Sequence, residues 1–109
     1  MVVDRSLAER YAAWFRCLGD ATRIQILSLL ASQRHPLTVQ QIVAALDVGQ
    51  PTVSHHVKQL EHARFVICER QGASTLVRVN RRCIDAFPTA ASFVMGRVRR
   101  ERVPFYEAA

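Results

Sequence analysis

The 109-residue sequence predicts a mainly α domain with a small β-hairpin, an α+β arrangement in one domain spanning 1–109. Three observations carry this. Apolar residues recur at three- and four-residue spacing in successive stretches, separated by Gly, Pro and capping residues. The period then changes to alternation between positions 64 and 80. Between these, Val48–Leu60 reads as a helix with Val53, Val57 and Leu60 on one stripe. Its other side carries Gln50, Thr52, Ser54, His55, Lys58 and Gln59. An ordinary solvated face would favour Glu, Lys and Arg. Groups that both donate and accept hydrogen bonds suit the edges of bases in a DNA major groove.

Composition narrows the class. Half of the residues are apolar and the mean hydropathy is near zero, so a packed core is expected rather than disorder. No apolar run approaches the length of a membrane span, and the N-terminus lacks the layout of a signal peptide, so a cytoplasmic protein without a membrane partner is expected. The net charge is +6, and fourteen of the fifteen cations are Arg. That balance favours a polyanion, because neutralising phosphates releases condensed counterions. Three cysteines with no close pair argue against a disulfide framework or zinc finger. No clustered acid, base and nucleophile points to an enzyme.

In chain order, Ser6-Leu7-Ala8-Glu9 matches a capping box with Ser6 as N-cap. The helix after it aligns Leu7, Tyr11, Trp14, Phe15 and Leu18, and Gly19 is placed to end it in a left-handed C-cap. Asp20 caps a second helix to about Ser32, whose Ile24, Ile26, Leu27, Leu29 and Leu30 predict a central position. After a polar linker ending in Pro36, Thr38 and Gln41 form a capping box, with Leu37 and Ile42 as hydrophobic staple. Val39, Ile42, Val43 and Leu46 define the buried face of this short helix. Asp47-Val48-Gly49 ends it, and Gly49 serves as N-cap of the next, with Pro51 tolerated in the first turn. Two helices joined by a short turn containing Gly make a helix-turn-helix, over about 38–63.

Arg64–Arg70 and Thr75–Asn80 read as two strands around a turn at Gln71-Gly72-Ala73-Ser74. A basic hairpin directly after a helix-turn-helix is a wing, over about 64–80. A last helix is expected over about 81–103, interrupted or restarted at Pro88. Its stripe of Ala91, Val94, Met95 and Val98, together with the aromatic first helix, predicts a dimer interface formed by the terminal helices.

Cys17-Leu18-Gly19-Asp20-Ala21-Thr22-Arg23-Ile24-Gln25-Ile26-Leu27 resembles the "ALADPTRLRIL" segment of ArsR/SmtB-type winged-helix repressors. Gln50–Lys58 matches their recognition-helix motif, and Ala63-Arg64-Phe65-Val66 stands where the family has "AGLV". The resemblance covers about residues 11–84. It implies a homodimeric repressor that binds a palindromic operator on double-stranded DNA and commonly releases it on binding an inducer. Carried over by position, Gln50, Thr52, Ser54 and His55 face DNA, while Lys58, Arg70, Gln71 and Ser74 are candidates for phosphate or minor-groove contacts. His55 lies on the outer face of the wheel, and His56 nearer the buried stripe. Alternatives are a winged-helix regulator without metal sensing and a winged-helix protein-interaction module.

The family's metal ligands do not carry over. Leu37-Thr38-Val39-Gln40 replaces the L-C-V-C of many members, no histidine follows His62, and Ser28 stands where persulfide-sensing members have Cys. No cofactor is required. A metalloid or metal inducer, or oxidation, would have to act through Cys17 and Cys83, with Cys68 as a third thiol; the competing expectation is three buried hydrophobes.

Overall fold

A computed structural model describes residues 2–99. The order of elements is α1 (Arg5–Cys17), α2 (Ala21–Ala31), β1 (Leu37–Thr38), α3 (Val39–Leu46), α4 (Gln50–His62), β2 (Val66–Gln71), β3 (Ser74–Val79) and α5 (Arg81–Val94). The helix-turn-helix is α3–α4 and the wing is β2–β3. Arg97, Arg99, Arg100 and Arg102 make the expected last helix basic at its end, and the part of it beyond residue 99 lies outside the described residues.

Capping chemistry sets most helix starts. At α3 both halves of the box form: Gln41 N donates to Thr38 Oγ1 at 3.1 Å and Thr38 N donates to Gln41 Oε1 at 2.8 Å. Leu37 and Ile42 of the staple are both buried. Asp20 caps α2 by accepting from Thr22 N and Arg23 N. Gly49 is the N-cap of α4, with Pro51 in its first turn. α1 departs from expectation. Its N-cap is Asp4, whose Oδ1 accepts from Leu7 N at 2.9 Å, so Ser6 already lies inside the helix. A carboxylate three residues before Leu7 makes the same bond that the Ser6 box would have made two residues later.

Two expectations about packing are corrected. On α1 the inward positions are Leu7, Tyr11, Trp14 and Cys17, while Phe15 remains 38% exposed. On α2 only Ile26 and Leu30 are buried, and Ile24 is 52% exposed, so the helix buries one side rather than its whole circumference. Gly19 is not left-handed either. A Cβ there would meet the Arg16 carbonyl oxygen at 3.3 Å, so glycine permits the tight passage from α1 into α2.

The sheet has three strands in the order β1-β3-β2, all antiparallel. The hairpin register runs from Val66↔Val79 to Gln71↔Ser74, which leaves Gly72-Ala73 as a two-residue turn with Gly72 left-handed. The third strand was not expected: Leu37 pairs with Val77 and Thr38 with Leu76. Two residues are too short for alternation to register.

Arg64 and Phe65 are not in the strand. Arg64 takes φ 68°, Arg64 N donates to Glu61 O at 3.0 Å and Phe65 N donates to Leu60 O at 2.9 Å. This is a Schellman ending with Arg64 in the left-handed position, and both Phe65 and Leu60 are fully buried. α5 ends the same way with the usual residue: Gly96 at φ 74°, Gly96 N on Phe93 O at 3.0 Å and Arg97 N on Ser92 O at 2.8 Å. That cap stops α5 at Val94, short of the expected 103.

Pro88 does not interrupt α5. It lies on the exposed side of the helix, opposite the buried Cys83, Ala86 and Ala90. Their burial, together with the ring contacts of Phe87 to Trp14 at 5.8 Å and Phe65 at 5.3 Å, holds the helix through the proline.

Two predictions follow from these backbones. Arg64→Gly should stabilise the fold by about 1 kcal/mol, the order of the cost of a left-handed non-glycine residue. Pro88→Ala should do so by roughly 1–3 kcal/mol, recovering a helical hydrogen bond. Chemical denaturation with the m-value unchanged would measure both; a loss of stability in either would refute the account of that site.

Candidate nucleic-acid interface

The interface is built from α4 and the wing. Val53, Val57 and Leu60 bury one side of α4 to 5% exposure or less. A helix held on that stripe presents the opposite side outward, and Gln50, Thr52, Ser54, His55 and Lys58 are all exposed. On the wing, Arg70 and Gln71 are exposed and Ser74 is half-buried beside the turn. All eight residues expected at the interface therefore lie on α4 or at the wing's outer end.

The structure brings three of them together. Ser54, Lys58 and Arg70 line one open cleft of about 320 Å³ between α4 and the wing, with Val39, Val57, Glu61, Cys68 and Thr75. Arg70 and Thr75 are cross-strand partners, and Cys68 shares the face of Arg70 by the two-residue pleat. Hydroxyls and two cations at one cleft match the chemistry of a phosphate. Gln50, Thr52 and His55 lie outside this cleft, and Gln71 and Ser74 stand at the hairpin tip. Thr75 and Glu61 were missed. Thr75 could have been found by pairing the strands across Gly72-Ala73, whereas no spacing signal on α4 points to Glu61.

His56 has a different setting from His55. Its side chain is 12% exposed, its Nδ1 accepts from Arg23 Nε at 3.0 Å, and its Nε2 is 3.9 Å from Asp20 Oδ1. Backbone hydrogen bonding, chiefly from Arg23 N, holds the Asp20 carboxyl below its ordinary range, and the charge of Arg23 acts in the same direction. His56 is thus tied to α2, while the adjacent His55 ring, 5.4 Å away, is exposed.

The cysteines divide into two places. Cys17 and Cys83 are buried, and Cys83 is pushed up to about 12 by burial and then by the neighbouring Cys17. Burial also raises Cys17, against the lowering effect of Arg23. Cys68 is pushed up to about 11 by burial and by Glu61, in the cleft under the wing. Thiols raised in this way are poor nucleophiles at neutral pH. Among the described residues there is no group of three or more His, Cys, Asp and Glu that could hold a metal ion. Among the same residues no helix is long and apolar enough to cross a membrane.

Comparison with known proteins agrees with this geometry. Residues 20–67 match the family model described as bacterial regulatory protein, arsR family. An uncharacterized HTH-type transcriptional regulator of Methanocaldococcus jannaschii is 39% identical over 64 residues, covering 59% of this chain and 71% of the relative. The arsenic resistance transcriptional regulator ArsR1 of Pseudomonas putida is 33% identical over 66 residues, 61% of this chain and 51% of its own. The repressor SmtB of Mycobacterium tuberculosis is 40% identical over 76 residues, 69% and 54% of the two chains. The chain thus spans about half the length of the latter two. Among solved structures, a homodimeric winged helix-turn-helix DNA-binding domain from Mycobacterium bovis superposes with a TM-score of 0.69 at 22% identity, covering 91% of this chain and 93% of that one. HlyU of Vibrio cholerae gives 0.68 at 15% identity, covering 84% and 97%. The solved structures share the winged fold, and by its sequence matches the chain belongs to the arsR family of bacterial regulatory proteins.

Proposed function

We propose that this protein is a homodimeric, sequence-specific repressor that binds a palindromic operator in the cytoplasm. The observation that carries the reading is the exposed row Gln50, Thr52, Ser54, His55 and Lys58 on a helix whose other side is fully buried, beside a wing that offers Arg70. Gln50 can pair with an adenine edge, the Thr52 methyl can touch thymine, and Ser54 and His55 can serve as further readers. Lys58, Arg70, Gln71 and Ser74 are suited to the backbone. Two cations and two hydroxyls at one cleft support this reading over a protein-interaction module.

The second copy is supported by apolar surface on the terminal helices. Phe15 of α1 contacts Phe87 of α5 at 5.2 Å, which sets the two helices side by side, and leaves Phe15, Val94 and Met95 exposed. Covering such rings in water is favourable at about 25 cal/mol per Å². Two α4 helices would then enter successive major grooves about 34 Å apart.

For the inducer, the electrostatic influence of Cys17 on Cys83 supports a dithiol that a soft metalloid or an oxidant engages, while Cys68 lines the cleft between α4 and the wing. The raised pKa of all three favours the alternative, a regulator without metal sensing.

Selection of bound sequences from random DNA tests the main reading, and recovery of a two-fold symmetric site is expected. Gln50→Ala should lose about 1–3 kcal/mol on that site and relax one base pair, whereas Arg70→Ala should weaken all sequences and flatten the salt dependence. Equal losses on cognate and random DNA would remove Gln50 as a reader. For the thiols, Cys17→Ser and Cys83→Ser are expected to keep operator affinity and lose release by arsenite or mild oxidant. Release that persists in both would assign these cysteines to the core.

A further inference from the structure

We propose that Arg23 and His56 are positioning residues for DNA reading: they latch the roll of α4 to the junction of α1 and α2. The inference rests on α4 being the reading helix, and it concerns two residues that do not face the DNA.

One planar guanidinium makes the latch. Arg23 Nε donates to His56 Nδ1 on α4 at 3.0 Å, and Arg23 Nη1 donates to the carbonyl of Cys17, the last residue of α1, at 3.2 Å. Only Arg has the fixed fork to hold both at once. Because His56 accepts at Nδ1, its proton sits on Nε2, facing the Asp20 carboxylate. That carboxylate is itself fixed, since Oδ1 accepts from Thr22 N at 2.9 Å and from Arg23 N at 3.1 Å. The α2 cap therefore fixes the carboxylate that the Nε2 side of His56 faces.

Two more contacts follow the same side of α4. Cys17 Sγ lies 3.7 Å from the Gln59 carbonyl oxygen, and Trp14 Nε1 donates to the Ala63 carbonyl at 3.1 Å. Positions 56, 59 and 63 are at i, i+3 and i+7, one line along the helix. The apolar stripe of Val53, Val57 and Leu60 resists separation, but aliphatic packing tolerates small rotations better than hydrogen bonds do. A roll of about 20° carries a side-chain tip about 5–6 Å from the axis through about 2 Å. Such a shift breaks a 3.0 Å contact at His56, and it moves Gln50, Ser54 and Lys58 by the same amount at the groove. Since Arg23 also grips the end of α1, a displacement of the terminal helices reaches the reading face through this side chain together with the Cys17 and Trp14 contacts.

The test uses the full chain with Arg23→Lys, His56→Gln and the double variant, on the selected operator and on random-sequence duplex. Each single change is expected to weaken operator binding about tenfold while random-sequence binding stays within about twofold, and the double variant should be no worse than either single. Parallel losses on both DNAs would mark a merely structural pair and overturn the proposal. So would losses that multiply in the double variant. Nitrogen NMR of the unbound protein gives a readout independent of folding yield in the variants. His56 should show the Nε2–H tautomer, and Arg23→Lys should shift its Nδ1 resonance; the opposite tautomer would overturn the latch. A wild type that prefers no sequence would overturn the repressor reading and this role with it. A wild type that selects a site, with variants that select it equally well, would overturn the latch alone.

Discussion

The seating of α4 is the constraint on which the rest depends. Val53, Val57 and Leu60 are buried on one stripe, and each contributes on the order of 1.5–3 kcal/mol by leaving water. The next residues extend that seat. Phe65 N is bonded to Leu60 O, and the Phe65 ring meets Trp14 of α1 at 6.2 Å and Phe87 of α5 at 5.3 Å. One aromatic cluster thus joins the exit of α4, the entry to the wing and both terminal helices. The exposed polar row exists because the other side of the helix has no freedom to turn outward.

Where chemistry is local, the residues disclose it. The box at Thr38 and Gln41, the cap at Asp20, Gly49 as N-cap and the buried stripe of α4 all follow from interactions within one helical turn, so spacing suffices to find them. The outward placement of Gln50, Thr52, Ser54, His55 and Lys58 is the complement of that stripe and was equally legible. What escaped notice depends on distant partners. Arg64 in a left-handed cap breaks the usual residue preference, and the burial of Phe65 and Leu60 offsets its cost. β1 exists only because β3 passes beside it. Nothing in the spacing of Arg23 and His56, thirty-three positions apart, announces a hydrogen bond.

Electrostatics divides the molecule in a similar way. The cations that matter for a polyanion are those the fold brings near one another, Lys58 and Arg70, and Glu61 in the same cleft moderates them. Arg78 pairs with Glu69 at 3.9 Å on the exposed sheet, where an ion pair is worth little. Arg23, a cation by sequence, is spent on internal geometry. Counting basic residues therefore overstates the surface offered to phosphates, and the placement of two or three decides the character of the cleft.

Thr38 belongs to two structures at once, pairing with Leu76 of β3 while it caps α3. The middle of the hairpin is therefore fastened to the start of the helix-turn-helix, and a change of length at Leu76 would disturb the α3 cap. The tip has no such duty: Gly72 and Ala73 are exposed and a Cβ at Gly72 meets nothing within 4 Å. Insertions accumulate where the backbone is unencumbered. The wing can therefore lengthen at its tip while the seat of α4 stays where it is.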